Sequence, residues 1–283
     1  MGTMKDKRQK FTSKAEKEIL EEMLQRLEKA IELKDQGKEK EGDNVVNGMK
    51  QWLDDQLQEI EAKLIQPKDT PVERNSLPKE GEVIAEGNLV RLSVIKNSEK
   101  ENYLAVSYEY SMTKHLYKDE KYREYIWSDF ISDYTFVCSI YEKDTGEYVG
   151  YCSIKDLAKK EWELAIELMP EKCHKGYGSE ALPLLMKTIN RLTGRRFFRS
   201  RVDIDNHNSQ KLMKKLGAYP DGISEWLLHG DEIGKFQEEY KDSITEEIRD
   251  VAEEFCMDAE DILGYVLEYR FDMNEVIVMS RNN

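Results

Sequence analysis

Residues 171–189, EKCHKGYGSEALPLLMKTI, begin as a polar turn with two glycines one residue apart and continue as an apolar-periodic helix. No other feature of the chain restricts its fold as much. Without Cβ atoms at Gly176 and Gly178, a turn lets consecutive amides point inward, and the helix behind it adds the positive end of its dipole. Such a nest suits a phosphate. A P-loop is excluded because no GK[ST] ending follows, and the dinucleotide fingerprint lacks its third glycine and a parallel βαβ setting. The preceding ELAIEL alternates as a strand does, with Leu164, Ile166 and Leu168 on one face and Glu163, Ala165 and Glu167 on the other.

The surroundings of this strand, loop and helix set the fold class. Upstream, NLVRLSVIK (88–96) alternates as a strand. Two helical stretches follow, the second over 120–131, and then TFVCSIYEKDTGEYVGYCSIK gives two strands joined at Asp144, Thr145 and Gly146. Downstream come a strand, FFRSRVDI, and a helix, NSQKLMKKLG, that ends at Gly217. This order implies a mixed α/β (α+β) sheet, mostly antiparallel and flanked by helices. Pro183 deletes an amide early in the helix of the opening stretch, where an irregular turn is expected.

The first 66 residues are a separate element. Ile19, Leu20, Met23, Leu24, Leu27, Ala30 and Ile31 line one helix, with a capping box at Ser13 and Glu16. Val46, Met49, Trp52, Leu53, Leu57, Ile60 and Leu64 line a second, and DQGKEKEGDN lies between them. The pair reads as an antiparallel helical hairpin, whose stripes pack on each other, on the main domain or on a second copy in a homodimer. Residues 67–82 carry prolines and little apolar periodicity and read as a linker. The main domain then spans 83–283, with an acidic helical insertion at about 231–262 before a last strand, GYVLEYRF.

Charge narrows the partners. The formal net charge is −14, and residues 231–283 hold 16 acids against 5 bases. Nucleic acid is disfavoured, because binding a phosphate backbone draws its energy from Lys and Arg, whereas a cationic partner would be steered towards the acidic end. No apolar run approaches a membrane span and no secretory signal is visible, so a cytoplasmic location is expected. The four cysteines have no CxxC pair, and the four histidines show no metal-ligand spacing, so no metal is expected.

ELAIELMPEKCHKGYGSEAL, followed by NHNSQKLMKKLGA, resembles the GNAT acetyltransferase superfamily, in particular the branch of the RimJ/RimL type. The resemblance implies a GNAT fold and a transfer of acetyl from acetyl-CoA directly to a primary amine, on a peptide N-terminus or a cationic small molecule. It implies that Leu168 and Met169 offer main-chain groups to the pantetheine arm. Cys173, His174, Lys175, Gly176, Tyr177, Gly178 and Ser179 would cradle the pyrophosphate, and Asn206 and Ser209 match the family's N-x-x-S. By the same resemblance Glu163 would be the general base; Ser209 is the remaining hydroxyl candidate for protonating the leaving thiolate, unless water or another acid does so. Tyr122, Tyr125, Trp127 and Glu167 would lie at the acceptor. The chain departs from the pattern at Cys173, where Gln or Arg is preferred, at His174, where many RimJ-like members carry glycine, and at Met213, where many members carry a tyrosine acid. A protein that keeps the fold and the CoA site without turnover is the alternative.

Such a reaction needs a neutral amine. A lysine-like amine with a pKa of about 10.4 pays about 4.6 kcal/mol to be neutral at pH 7, and an α-amine of about 7.8 only about 1 kcal/mol, so a base matters in proportion to the acceptor's basicity.

Overall fold

The computed structural model describes residues 14–64, 72–159 and 161–273, with side chains over 22–53 in the first of these. The chain divides into two compact units, Met1–Pro67 and Lys68–Asn283.

In the first unit α1 (Lys14–Asp35) and α2 (Glu39–Leu64) form the expected hairpin. Ala30 and Met49 are buried between them, and Arg26 lies over the Trp52 ring at 4.9 Å. A Cβ on Gly42 would meet the Ala30 carbonyl at 3.1 Å, so glycine permits the close approach there. The second helix starts inside the segment read as the turn. Glu39 and Glu41 sit in its first turn, where acids favour the helix dipole. Ser13, of the expected capping box, lies outside the described residues.

The second unit holds one eight-stranded sheet in the order β1-β2-β3-β4-β5-β6-β8-β7. Its strands are β1 (Val83–Glu86), β2 (Val90–Val94), β3 (Phe136–Glu142), β4 (Tyr148–Lys155), β5 (Glu163–Leu168), β6 (Phe197–Asp203), β7 (Tyr219–Ser224) and β8 (Val266–Asp272). Its helices are α3 (Lys100–Tyr110), α4 (Glu120–Phe130), α5 (Tyr177–Thr193), α6 (His207–Lys215), α7 (Asp231–Tyr240) and α8 (Glu246–Glu254). Strands β1 to β5 run antiparallel, β5 and β6 are parallel, and β8 pairs antiparallel with both β6 and β7. This is the mixed, mostly antiparallel sheet flanked by helices that the residue pattern implied.

Each face of the sheet has its own core. Ala181, Leu182, Leu185, Met186 and Ile189 of α5 recur at helical spacing, and all are buried with Leu92, Phe136, Cys138, Ile140, Ile154 and Leu164. On the other face Tyr103, Leu104, Val106 and Trp127 from α3 and α4 meet Val137 and Tyr151. The α5 helix runs on through Pro183 without a break and closes on Gly194 in the left-handed conformation.

Three differences from the sequence reading have physical causes. Residues 72–82 of the presumed linker are bound to the second unit: Leu77 is buried, Arg74 lies over the Phe136 ring at 5.0 Å, and Gly81 N–H donates to Val94 at 2.9 Å. Strand β1 was missed for its shortness. Strand β7 was hidden by Pro220 and Gly222, residues that a sheet tolerates at an edge strand with an irregular register. The acidic insertion is helical, as α7 and α8, and none of the described helices is long and apolar enough to cross a membrane.

Candidate functional site

The site starts from a divergence of strands. Among the described residues the register of β5 with β6 holds at one pair, Glu163↔Arg199, reinforced by Arg199 N–H on the Trp162 carbonyl at 2.9 Å and by the Ser200 hydroxyl on the Leu164 carbonyl at 3.2 Å. Met169 N–H donates to Val149 of the β4 side at 2.9 Å. In an antiparallel ladder alternate residues bond to the same neighbour, so the odd-numbered residues of β5 turn their main-chain groups to β4 and the even-numbered ones away from it. The N–H and C=O of Ile166 and Leu168 therefore face the gap where β6 has left. Gly150 brings β4 close at this point. Its φ is 152°, and a Cβ there would sit 2.2 Å from the Glu167 carbonyl oxygen.

The gap ends at the glycine loop. His174 (φ 60°) and Gly176 (φ 87°) are both left-handed, and α5 begins at Tyr177. The angle at His174 explains why glycine suits that position, since a side chain is strained there. Cys173 N–H is spent on the Pro170 carbonyl at 3.2 Å. From His174 to Ser179 the amides belong to a turn and the first turn of a helix, whose N–H groups have no intrahelical acceptor. A Cβ on Gly178 would meet Leu212 of α6 at 3.4 Å, Ile166 at 3.5 Å and Leu168 at 3.8 Å, which places the first turn of α5 against the end of β5. Two anchors hold the loop. Tyr177 donates its hydroxyl to Glu142, and that bond holds the Glu142 carboxyl below the usual carboxylate range; Lys172 reaches Glu147 at 2.5 Å. Glu180 accepts from the amides of Asn88, Leu89 and Val90 at 2.7, 2.7 and 2.8 Å, fastening the β1–β2 turn to α5.

The two acids of ELAIEL share a face and differ in surroundings. Glu163 is 5% exposed and bound by Arg201 at 2.7 Å, with Arg199 at 3.8 Å and Lys155 at 3.9 Å. Arg201 is itself stacked over Trp226 at 4.4 Å. Glu163 thus belongs to an ionic cluster at the closed end of the divergence. Glu167 lies at the open end, where the Tyr151 hydroxyl donates to it at 2.6 Å. Burial raises its carboxyl above the usual range, and the Tyr151 bond and the charge of Lys155 offset part of that rise. Tyr151 is held in turn by Phe130 in an edge-to-face contact of 4.6 Å and by Tyr103 at 5.5 Å.

Asn206 caps α6, its side-chain oxygen accepting Ser209 N–H at 3.1 Å, so this pair serves the helix end as an N-cap does. Met213 is buried in the core and carries no acid. Trp127 is 6% exposed and packs on Tyr103, away from solvent; Tyr122 bonds Thr113 at 2.9 Å beside the Tyr117 ring, and Tyr125 is exposed. Of the acceptor residues read from the sequence, Glu167 lies at the gap and Trp127 serves packing. Tyr151, Tyr110, Gly150 and Glu180 escaped that reading. Gly150 alone left a signal, a glycine inside a strand pattern. Among the described residues no cluster of His, Cys, Asp and Glu is placed to hold a metal ion.

Several solved structures are similar to this chain at low identity. The acetyltransferase (GNAT family) from Bacillus anthracis is 14% identical with a TM-score of 0.46, over 68% of this chain and 99% of that one. RimL, the ribosomal L7/L12 alpha-N-protein acetyltransferase in complex with coenzyme A, is 14% identical with a TM-score of 0.47, over 68% and 99%. The spermidine N-acetyltransferase from Vibrio cholerae in complex with CoA and spermine is 11% identical with a TM-score of 0.42, over 68% and 99%. No curated protein matches. In sequence, residues 91–219 match the family model of the acetyltransferase (GNAT) domain, a span from β2 to the first residue of β7 that contains the strands, the loop and both acids of this site.

Proposed function

We propose that the protein is an acetyl-CoA-dependent N-acetyltransferase that moves an acetyl group directly to a primary amine in a ternary complex. One observation carries the reading: main-chain groups of Ile166 and Leu168 face a gap that leads to the amides of 174–179 at the N-terminus of α5, within the segment that matches the acetyltransferase domain. A chain of amides can add itself to the free side of β5 as a strand does, and a pyrophosphate suits the loop at its end. Acetyl-CoA has both parts and supplies an acyl group activated as a thioester.

Among this chain's residues, Glu167 is the proton acceptor we favour. Its raised carboxyl pKa brings it closer to that of an amine, and it adjoins Ile166, whose amide is placed to receive an oxyanion. Glu163, the acid chosen on family resemblance, is neutralised by Arg201 and Arg199 and orders the closed end instead. Thiolate protonation falls to water or to the Ser209 hydroxyl, an undemanding step for a thiol with a pKa of about 8.5. The acceptor is an amine of a peptide N-terminus or a cationic small molecule. The hairpin is read as a dimerisation element, since Leu24, Leu27 and Ile31 form an exposed stripe on α1.

The test is calorimetric titration with acetyl-CoA, followed by CoA release against polyamines and short peptides with free N-termini. Binding with release on at least one amine supports the reading, and absence of heat with any CoA thioester removes it. Met213 favours a second reading, a CoA-binding protein without turnover; binding with no release on any amine would select it.

A further inference from the structure

Tyr110, the last residue of α3, donates its hydroxyl to the Leu168 carbonyl at 2.6 Å and lies 3.7 Å from the Cys173 sulfur. The acceptor is informative. Leu168 is an even-numbered residue of β5, so its carbonyl faces the gap, at the point where the strand gives way to the glycine loop. Tyr110 is half exposed, so its hydroxyl does not need this carbonyl to avoid burial without a partner. Burial, and then the neighbouring Cys173, raise the phenol's pKa, so it remains a donor across the physiological range. The phenol thus spans from the helix on one face of the sheet to the main-chain edge that a strand-like ligand would use.

We propose that Tyr110 gates the arm site, its hydroxyl competing with an amide N–H of an incoming pantetheine-like chain for the Leu168 carbonyl. This rests on the proposed use of acetyl-CoA. Occupation of the gap requires the phenol to turn away from β5. The segment that follows Tyr110 is held by bonds of its own, Ser111 N–H on the Tyr108 carbonyl at 3.3 Å, the Ser111 and Thr113 hydroxyls at 3.0 Å, and Thr113 with the Tyr122 hydroxyl at 2.9 Å, so the phenol can turn without breaking them.

The experiment compares wild type, Tyr110→Phe and, as a control, Tyr134→Phe by calorimetry with CoA and with ADP, which has a pyrophosphate and no arm. Removing a competitor worth one net hydrogen bond should tighten CoA binding about 2- to 10-fold in Tyr110→Phe. ADP affinity should stay the same, and Tyr134→Phe should match wild type with both ligands. A general disturbance of the fold would weaken both ligands together. Equal CoA affinity in wild type and Tyr110→Phe overturns the gate and leaves the acetyltransferase reading standing. Weaker CoA binding in Tyr110→Phe also overturns it, making the hydroxyl a ligand of the arm. No heat with CoA for any of the three proteins removes the acetyltransferase reading and the gate together.

Discussion

The half of the site that faces α5 takes its groups from residues 166–179, one unbroken segment that contributes mainly main-chain N–H and C=O. The half that faces α3 and α4 is assembled from side chains far apart in the chain: Glu167 on β5, Tyr151 on β4, Tyr103 and Tyr110 on α3, and Arg201 on β6. Main-chain donation tolerates changes of side chain, so Cys173 and His174 can stand in the loop. A constellation of side chains has no such tolerance, because each member depends on a neighbour supplied by another strand or helix. On the proposed reading, the comparison teaches that the phosphate end of the site is set by local geometry and the reacting end by packing.

The sharpest way to break this contrast is to exchange the two acids. Glu167→Gln is expected to lower the rate of amine acetylation about 100- to 10,000-fold, the range for loss of a general base, without loss of stability. The sign follows from its pKa. A carboxyl raised by burial contributes stability that is present below its unfolded value and lost as pH rises through the folded one, so a neutral amide avoids that loss at pH 7. Glu163→Gln is expected to do the reverse, costing about 2 kcal/mol by leaving the Arg201 guanidinium without its charge partner and slowing the reaction less. Urea unfolding beside steady-state rates measures both; a larger rate loss in Glu163→Gln would return the base to the closed end.

Gly150→Ala tests whether the close approach of β4 holds the gap open. The added Cβ meets main chain, the Glu167 oxygen at 2.2 Å and Leu168 Cα at 2.7 Å, and neither can yield as a side chain would. About 3 kcal/mol of stability should be lost in urea, at the top of the usual range for a single substitution. Glu180→Ala probes the other half. Three amides of the β1–β2 turn lose a charged acceptor and turn partly to water, so about 2 kcal/mol is expected, with weaker CoA binding because the turn lies against the glycine loop through Leu89. The smallest effect belongs to Tyr151→Phe. Its hydroxyl lowers the Glu167 carboxyl, so its removal should move the acidic limb of the pH–rate profile to higher pH. An unmoved limb would detach Glu167 from the chemistry.

Much of this was legible before the structure. Alternation in ELAIEL put Leu164, Ile166 and Leu168 on one face and the two acids on the other, because a pleated strand has a period of two whatever surrounds it, and the structure packs the apolar face in the core with α5. The spacing of apolar residues located α1, α2 and α5, and Gly217, with φ 81°, ends the turn after α6 as expected of a C-cap. Strand β7 was not legible, since Pro220 and Gly222 read as turn until β8 offers them an edge. Nor was the role of 72–82, whose Pro78 and lack of apolar periodicity describe a linker until Leu77 finds the core.

By itself the sequence determined the periodic elements, the mixed sheet and the loop of bare amides, because all of these follow from backbone geometry and from residues adjacent in the chain. Only the tertiary structure decided which glutamate is ion-paired and which is buried beside a phenol, and which strand edge a tyrosine from α3 covers. A carboxyl's chemistry depends on the charges, hydroxyls and solvent within a few ångströms of it, and in this protein those neighbours come from other strands, Tyr151 of β4 for Glu167 and Arg201 of β6 for Glu163.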